Sequence, residues 1–271
     1  MTELTIEEVR RVQLDILADF DQLCRGHGLT YYLAYGTLLG AVRHRGYIPW
    51  DDDIDVMMPR SDYDRLHDLF PAAAPAHLSL GSPRTRAEWP FGYAKIGDDR
   101  TELWEPLADP LLLAVNVDVF PVDAVPSGRL RRAIQCTALR LLRWAVELKY
   151  VDAVRGRGWH HPLAVSLGKR VLRLVPVAAL VGAFSRVAQA GRAAGGRDEL
   201  RAGVRVGSYD WTVPAGALGN PGELLFEHLR LLAPAEPEVV LTAMYGDYRQ
   251  LPPVAQRVSE HLFTAAWRAV A

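Results

Sequence analysis

Apolar residues near the start of the chain recur at helical spacing, and the pattern then changes to the alternation of a strand. The helical positions are Ile6, Val9, Ile16, Phe20 and Leu23. Thr5 and Glu8 match a capping box, so we expect a helix to begin there, and the two glycines that follow Leu23 are expected to end it. Residues 31–35 and 54–58 are predicted as strands.

Gly36 is expected to end the strand over 31–35, and residues 37–43 are predicted as a short helix before the next strand. Another helix is predicted from Ser61 to about Phe70. Short apolar runs predict three more strands: 78–80, 93–96 and 117–120. The alternation of helices and strands predicts an α/β (α+β) core.

The second half of the chain is more helical. Helical periodicity covers 129–151 and continues, after a Gly/Trp/His stretch, to about Ala190. Residues 204–209 are predicted as a strand, and two further helices are predicted, one over 236–244 and one at the end of the chain. The simplest organisation has three parts: a core over 1–127, a basic helical segment over 128–200, and a segment over 201–271 that packs back on the core.

Charge is divided along the chain, although 31 basic and 32 acidic residues leave the total near neutral. Residues 1–127 carry 11 Lys and Arg against 21 Asp and Glu, whereas residues 128–173 carry 11 against 2. This basic segment either holds an anionic acceptor, such as a charged polymer or a lipid-linked phosphate at a membrane surface, or pairs with the acidic half. The near-zero total argues against nucleic acid as a partner.

Composition narrows the class of protein and its compartment. With 271 residues, 49% of them hydrophobic, the chain is long enough to bury a core without staples. Cys24 and Cys136 are its two cysteines, and no residues near them have zinc-finger spacing. So few cysteines are typical of a protein in a reducing compartment. The acidic, amphipathic beginning differs from a signal peptide, and no apolar run reaches about 18 residues, so we expect a cytoplasmic protein without a transmembrane segment.

Four carboxylates within five residues form the most informative motif: Asp51, Asp52, Asp53 and Asp55. Adjacent carboxylates repel one another, and Mg²⁺ or Mn²⁺ neutralises such oxygen ligands well. Residues i and i+2 of a strand share a face, so Asp53 and Asp55 are predicted as a metal pair, with Asp118 of a neighbouring strand as the third ligand. Such a set holds two ions. Solvated surface is the competing interpretation of an acidic run.

A turn of small residues precedes these carboxylates. Gly36 and Thr37, placed between a strand and a helix, let a phosphate reach backbone N–H groups at the start of that helix. Together with the acidic strand, this turn predicts a site for phosphoryl or nucleotidyl transfer. By itself, the glycine is equally typical of an ordinary turn.

Longer blocks of sequence point to a family. The densest is YLAYGTLLGAVRHRGYIPWDDDIDVMM, and the later ones are YAKIGDDRT, VDVFPVDAVP and MYGDYRQLPP. These blocks resemble the LicD family of phosphocholine transferases, which is related to fukutin-type enzymes. The resemblance is dense over the first 125 residues and patchy over 205–261, and it implies a nucleotidyltransferase-like mixed sheet flanked by helices.

The resemblance also implies an activity. A phospho-substituted alcohol such as phosphocholine is transferred from a CDP-activated donor to a hydroxyl of a sugar or polyol, and CMP is released. By position, Gly36 and Thr37 hold phosphate and Asp53 and Asp55 bind the metal. Asp118 is the third carboxylate and the base toward the acceptor hydroxyl.

Cationic residues complete the predicted site. Arg43 and His44 follow the glycine turn and are placed to face donor phosphates, with simple surface exposure as the alternative. Lys95 lies on a strand expected beside the third carboxylate, where it would neutralise charge in the transition state. The alternative for this lysine is a salt bridge with Asp98 or Asp99.

Aromatic residues are candidates for the donor head group, because a quaternary ammonium prefers an aromatic cage. Five side chains qualify, although core packing explains each of them: Trp50, Trp89, Phe91, Tyr93 and Trp104. Tyr245 and Tyr248 either close over the site or cap the last helix. His261 either reaches the site or has a structural role, and the structural role is favoured.

Two other functions use the same sequence features. A nucleotidyltransferase would attack the α-phosphate of a nucleoside triphosphate and release pyrophosphate. A binding protein that retains the fold would keep the carboxylates without catalysis, and the presence of all three carboxylates argues against it.

Overall fold

The computed structural model describes residues 3–104, 112–150, 170, 172, 174–193, 199–202, 211–258 and 263–268. The helices are α1 (Ile6–His27), α2 (Tyr35–His44), α3 (Arg60–Ala73), α4 (Arg129–Tyr150), α5 (Val177–Ala188), α6 (Ala190–Ala193), α7 (Ala215–Leu218) and α8 (Pro237–Tyr245). The strands are β1 (Tyr32–Leu33), β2 (Asp55–Pro59), β3 (Leu78–Gly81), β4 (Ala94–Asp98), β5 (Thr101–Trp104), β6 (Leu112–Leu113), β7 (Asn116–Ala124), β8 (Glu199–Ala202), β9 (Val213–Pro214), β10 (Gly222–Phe226), β11 (Leu229–Ala233) and β12 (Thr264–Trp267). This mixture confirms the predicted α/β class.

The central sheet is mixed. Within the described residues it has the order β1-β2-β7-β4-β3, and β8 and β9 join it at the end of β7. β2 and β7 are parallel, whereas β4 is antiparallel to β7 and β3 is antiparallel to β4. The parallel pair lies in the middle of the sheet because the intervening chain first forms α3, β3 and β4.

The helix α1 begins and packs as its sequence predicts. The Thr5 side chain accepts a hydrogen bond from the Glu8 N–H, and the Glu8 carboxylate accepts one from the Thr5 N–H, which confirms the capping box. Gly28 ends the helix at φ 60°, a conformation that glycine adopts without strain. The apolar face, including Ile16 and Leu17, is buried and contributes to the main core.

Two boundaries differ from the sequence prediction. α2 begins at Tyr35, so Gly36 and Thr37 lie in its first turn rather than in a turn that precedes it. The predicted final helix is wrong, because Thr264–Trp267 is a strand that pairs antiparallel with β5. Within β12, Ala265 is buried. The strand predicted over 204–209 lies outside the described residues.

A hairpin and a helix pair complete the described structure. β10 and β11 form a separate antiparallel hairpin, whose Glu227 accepts a hydrogen bond from the Tyr47 N–H at 3.0 Å. The predicted helix over 129–151 is confirmed by α4, which packs against α5 through a small cluster that contains Leu139 and Phe184. None of the helices in the described ranges combines enough length with enough apolar character to cross a bilayer.

Candidate functional site

Three charged side chains form a row across the central sheet. Asp55 at the start of β2 is the register partner of Asp118 in β7, and Asp118 is the partner of Lys95 in β4. Register partners share a face of the sheet. The neighbouring row, Val56, Val119 and Ala94, has the opposite orientation and is fully buried. The sequence therefore alternates a charged row with an apolar row, and the charged one defines the candidate site.

Lys95 and Asp118 form a close ion pair inside this row. The Lys95 Nζ lies 2.6 Å from Asp118 Oδ1 and 3.1 Å from Asn116 Oδ1, and both charged side chains are buried. Asp98 instead pairs with Arg100, and Asp99 accepts a hydrogen bond from Ser79. Lys95 thus pairs with the carboxylate of the row rather than with either aspartate of its own strand end.

The first turn of α2 supports the other end of the row. The buried Thr37 hydroxyl accepts a hydrogen bond from the Asp55 N–H at 2.8 Å, which fixes where β2 begins. A Cβ at Gly36 would overlap the Asp51 carboxylate, so only glycine lets this side chain approach the beginning of the helix. The positive end of the helix dipole favours a carboxylate at that position.

The acidic loop before β2 is held by backbone contacts to α1. The Arg10 guanidinium donates to the carbonyl of Asp51 at 2.5 Å and to that of Pro49 at 3.1 Å. Gln13 donates to the carbonyl of Asp52 at 3.0 Å and accepts from the Tyr47 hydroxyl at 2.9 Å. Because these contacts use main-chain oxygens, they fix the loop without occupying its carboxylates.

The carboxylates of this loop are close enough to share a cation. One oxygen from each of Asp51, Asp52 and Asp53 lies within 4.8 Å of the others. Asp52 is buried, and Asp51 and Asp53 are half-buried. Asp55, only 1% exposed, follows two residues after Asp53 and lies beside Asp118. Hard oxygen ligands at this density fit Mg²⁺ or Mn²⁺.

A small cavity lies next to the ion pair, on the β3 side of the row. It measures about 30 Å³, which exceeds the roughly 10–15 Å³ that one ordered water needs. Its polar lining includes Lys95, Asn116, Asp99, Arg86 and Arg268. Three cations and one carboxylate line this cavity, and two of the cations are already paired, Lys95 with Asp118 and Arg268 with Glu102.

Aromatic rings line the same side of the site. The ring centroids of Trp89 and Phe91 lie 5.4 Å apart, and those of Phe91 and Tyr93 are also 5.4 Å apart. The Lys95 Nζ lies 5.0 Å from the centroid of Phe91 and 5.6 Å from that of Tyr93. The Trp89 ring packs over Gly81, the register partner of Lys95, where any Cβ would overlap it.

The other predicted aromatic residues lie elsewhere. Trp50 packs against Arg257, whose guanidinium carbon is 5.5 Å from the ring centroid. Trp104 is half-exposed on β5, in the small three-stranded sheet. The structure therefore brings together three of the five candidates for an aromatic cage, and a cation of the protein itself lies among them.

Arg43 and His44 connect the site region to the C-terminal segment. Arg43 donates to the carbonyl of Tyr248 at 3.2 Å and to His44 Nε2 at 3.0 Å. Burial, and then the charge of Arg43, lowers the pKa of His44, so its ring is neutral and accepts this bond. The residues Tyr248 and Arg257 thus lie against the N-terminal motif. His261 is outside the described residues.

Several residues of the site carry no clear signal in the sequence. Arg10 and Gln13 are ordinary polar positions of an amphipathic helix, and their role depends on a loop about forty residues away. Arg268 reaches the cavity from the end of β12. Asn116 is the exception, because it alternates with Asp118 in one strand and the period of two predicts a shared face.

Comparison with known proteins agrees with the resemblance predicted from the sequence motifs. Residues 28–88 match the family model described as LicD/FKTN/FKRP, nucleotidyltransferase domain. This segment contains α2, the acidic loop and β2, which are the elements that build one end of the charged row. The resemblance to the LicD family is therefore confirmed over these residues.

Individual relatives extend this similarity. Over 128 residues the chain is 38% identical to lipopolysaccharide cholinephosphotransferase LicD of Haemophilus influenzae, and this covers 47% of the chain and 48% of that relative. An uncharacterised protein of Rickettsia prowazekii is 39% identical over 56 residues, 21% of each chain. One of Rickettsia typhi is 36% identical over 67 residues, 24% of this chain and 22% of its own. The matched region spans about half the length of the Haemophilus relative.

Proposed function

We propose that this chain, in which residues 28–88 form a LicD-family nucleotidyltransferase domain, is a phosphotransferase. It moves a phosphocholine-like group from a CDP-activated donor to a hydroxyl of a sugar, polyol or related acceptor, and it releases CMP. The observation that carries the proposal is the row of Asp55, Asp118 and Lys95 across three adjacent strands. The similarity to a cholinephosphotransferase of Haemophilus influenzae supports the choice of donor.

The carboxylates are assigned to metal binding by their chemistry and density. We assign Asp53, Asp55 and Asp118 to Mg²⁺ or Mn²⁺, as two ions. Asp53 belongs to the cluster that also contains Asp51 and Asp52, and Asp55 is the register partner of Asp118. When bound, the ions would supply charge neutralisation for the phosphate groups of the donor. Arg10 and Gln13 keep the loop in place through its carbonyl oxygens.

The proposed transfer takes place at the distal phosphate of the donor, beside the ion pair. The acceptor oxygen forms a bond to phosphorus, the bond from phosphorus to the CMP oxygen breaks, and the acceptor proton passes to Asp118. Lys95 lies 2.6 Å from that carboxylate and neutralises charge that develops on the phosphoryl oxygens. Thr37 fixes Asp55 through the backbone and so positions the row, and with Gly36 it remains a predicted contact of the donor phosphates.

The adjoining cavity gives the row a polar approach. Arg86 and Arg268 line it together with Lys95, which belongs to both the cavity and the row. An anionic group of a substrate that enters there would lie next to Asp118. Arg43 and His44, at the end of α2, remain the predicted contacts of the donor phosphates, with Trp50 close to the acidic loop.

Product analysis with defined nucleotides tests this function. The full chain is incubated with CDP-choline, Mg²⁺ and either glycerol or galactose as a hydroxyl probe, and CMP is measured. We expect CMP to form, to disappear with Asp55→Asn, and to persist with Asp68→Asn, an exposed aspartate of α3. Omitting the divalent ion is expected to stop the reaction.

Other outcomes would contradict the proposal in distinguishable ways. Pyrophosphate from CTP, without CMP from CDP-choline, would place the attack at the α-phosphate and identify a nucleotidyltransferase. Absence of both products, together with a rise in melting temperature from CDP-choline and Mn²⁺, would indicate a binding protein that retains the fold.

A further inference from the structure

The helix α4 has an apolar stripe on its exposed side. Four large side chains of this helix are highly exposed: Leu130 at 75%, Ile134 at 60%, Leu141 at 61% and Trp144 at 47%. At 100° per residue these positions fall within an arc of about 80°. Large exposed apolar side chains that share one face of a helix are unusual on a surface that contacts only water, and Thr137 is the exposed polar residue that lies among them.

The packing of α4 determines which way this stripe faces. On the opposite side of the helix, Leu139 is buried against α5, in a cluster with Phe184 and Ala188. Gln135 strengthens that contact by donating to the carbonyls of Val187 at 2.9 Å and Ala188 at 3.1 Å. The stripe is therefore held away from α5 by a hydrogen-bonded interface and does not result from a loosely placed helix.

Arginines border the stripe on both sides. The helix carries six Arg or Lys and one acidic residue, Glu147, which pairs with Arg143 in the same helix. Arg129 and Arg140 are exposed along one edge of the stripe, and Arg131 is exposed along the other. An apolar stripe that contains a tryptophan and has cationic borders is the composition of a helix that lies in a membrane interface.

We propose that α4 is a membrane-surface helix that lies flat on an anionic lipid bilayer, with Leu130, Ile134, Leu141 and Trp144 inserted between the head groups. Charge complementarity selects this partner over a second copy of the chain, because pairing two such helices would bring their arginine borders together. Anionic head groups neutralise the same borders. The assignment is independent of the reaction at the charged row.

Vesicle flotation of the full chain tests this surface. Phosphatidylcholine vesicles are compared with vesicles of equal amounts of phosphatidylcholine and phosphatidylglycerol. We expect the chain to float with the anionic vesicles, to float much less with the zwitterionic ones, and to be released as ionic strength rises. Failure to float with either kind of vesicle would overturn the proposal.

Two double variants separate the apolar stripe from its charged border. Ile134→Gln with Leu141→Gln should weaken binding at least about tenfold. Arg129→Gln with Arg131→Gln should weaken it by about fivefold per arginine. The matched control is Ile6→Gln with Val239→Gln, two apolar helix residues that are each 38% exposed, and it should bind as the wild type does.

Two further readouts keep the test decisive. Quenching of tryptophan fluorescence by brominated lipid should fall in Trp144→Phe, and circular dichroism should show equal helix content in every variant. If Ile134→Gln with Leu141→Gln instead converts a dimer to a monomer and leaves vesicle binding unchanged, a second copy covers the stripe and the proposal is wrong. If the control loses binding equally, general surface apolarity is responsible, which also overturns it.

Discussion

The strand β7 carries two buried ion pairs on opposite faces of the sheet, and they differ in how completely each carboxylate is engaged. Asp123 receives two bonds from Arg60, Nε to Oδ1 at 2.8 Å and Nη2 to Oδ2 at 2.5 Å. Among the residues that the structure describes, Asp118 receives one bond, from Lys95 at 2.6 Å, and this pair borders the cavity. The planar guanidinium matches both oxygens, whereas the ammonium group is a compact charge that has other contacts available.

This difference separates a structural pair from a chemical one. The Arg60–Asp123 pair packs against Tyr63 and joins the first residue of α3 to β7. The Lys95–Asp118 pair instead shares its lysine with Asn116 and with two aromatic rings. A carboxylate with one partner retains an oxygen for a substrate or cation, so the second pair is the one assigned to catalysis.

The largest expected effect is the loss of stability when the structural pair is broken. Arg60→Met leaves Asp123 buried beside an apolar side chain, and this should lower the free energy of unfolding by about 3–5 kcal/mol. Urea denaturation measures the change. Replacing both partners, with Arg60→Met and Asp123→Leu, should restore much of the loss. Equal destabilisation by the single and double variants would contradict the role assigned to the pair.

Breaking the other pair should affect chemistry more than stability. Lys95→Met is expected to lower the rate of CMP release from CDP-choline by about 10²–10³-fold, because charge on the phosphoryl oxygens is no longer neutralised. Lys95→Arg should recover part of the rate. Because this pair borders a polar cavity, urea denaturation should show a smaller change than Arg60→Met. If Lys95→Met lowered the free energy of unfolding more than Arg60→Met does, the distinction between a structural and a chemical ion pair would be wrong.

A smaller effect is expected where the row is supported from α2. Thr37→Val removes the acceptor of the Asp55 N–H and should lower the free energy of unfolding by about 1–3 kcal/mol. Thr37→Ser keeps the hydroxyl and should behave nearly as the wild type does. CMP release should fall for the valine variant, with its loss mainly in kcat because the carboxylate is displaced. If Thr37→Ser and Thr37→Val lose the same activity, the hydroxyl does not position Asp55.

The smallest expected effect is a pH dependence on the side of the structural pair. Burial lowers the pKa of His67 below its usual 6.5. The hydrogen bond to the Tyr63 carbonyl opposes this change, and the charges of Arg84 and Arg60 add to it. In the unfolded chain this histidine therefore binds its proton at higher pH than in the folded one, so stability falls as pH decreases through 6.5. As pH decreases through this range, the melting temperature of His67→Gln should decline less steeply than that of the wild type. Equal slopes for the two proteins would contradict the role assigned to His67.

Local patterns predicted the elements of the site better than their connections. The capping box of α1, the existence of β2 and the charged residues of β4 and β7 could all be predicted, because each depends on neighbours in the chain. The predicted alternation of Asp53 with Asp55 is not a strand feature, because β2 begins at Asp55 and Asp53 lies in the loop before it. The contact of Arg60 with Asp123, 63 residues apart, depends on the parallel pairing of β2 and β7. Nothing in the local sequence indicates which of the many arginines packs against which aspartate.

The same limitation explains the elements that were predicted wrongly or only partly. The sequence predicts a helix at the end of the chain. Residues 264–267 instead form the strand β12, because the edge of β5 offers them a partner. Gly36 was interpreted as a break between strand and helix, whereas it lies inside α2 and admits the Asp51 carboxylate. Both features result from contacts with residues that are distant in the sequence.

The odd spacing of Asp118 and Asp123 makes the length of β7 as critical as its composition. The two aspartates are five positions apart, so a regular strand directs them to opposite faces. One residue inserted between Phe120 and Pro121 would reverse the orientation of everything after it, and Asp123 would be carried away from Arg60. Insertions and deletions in this strand should therefore be eliminated among functional variants, even where conservative substitutions at its apolar positions are accepted.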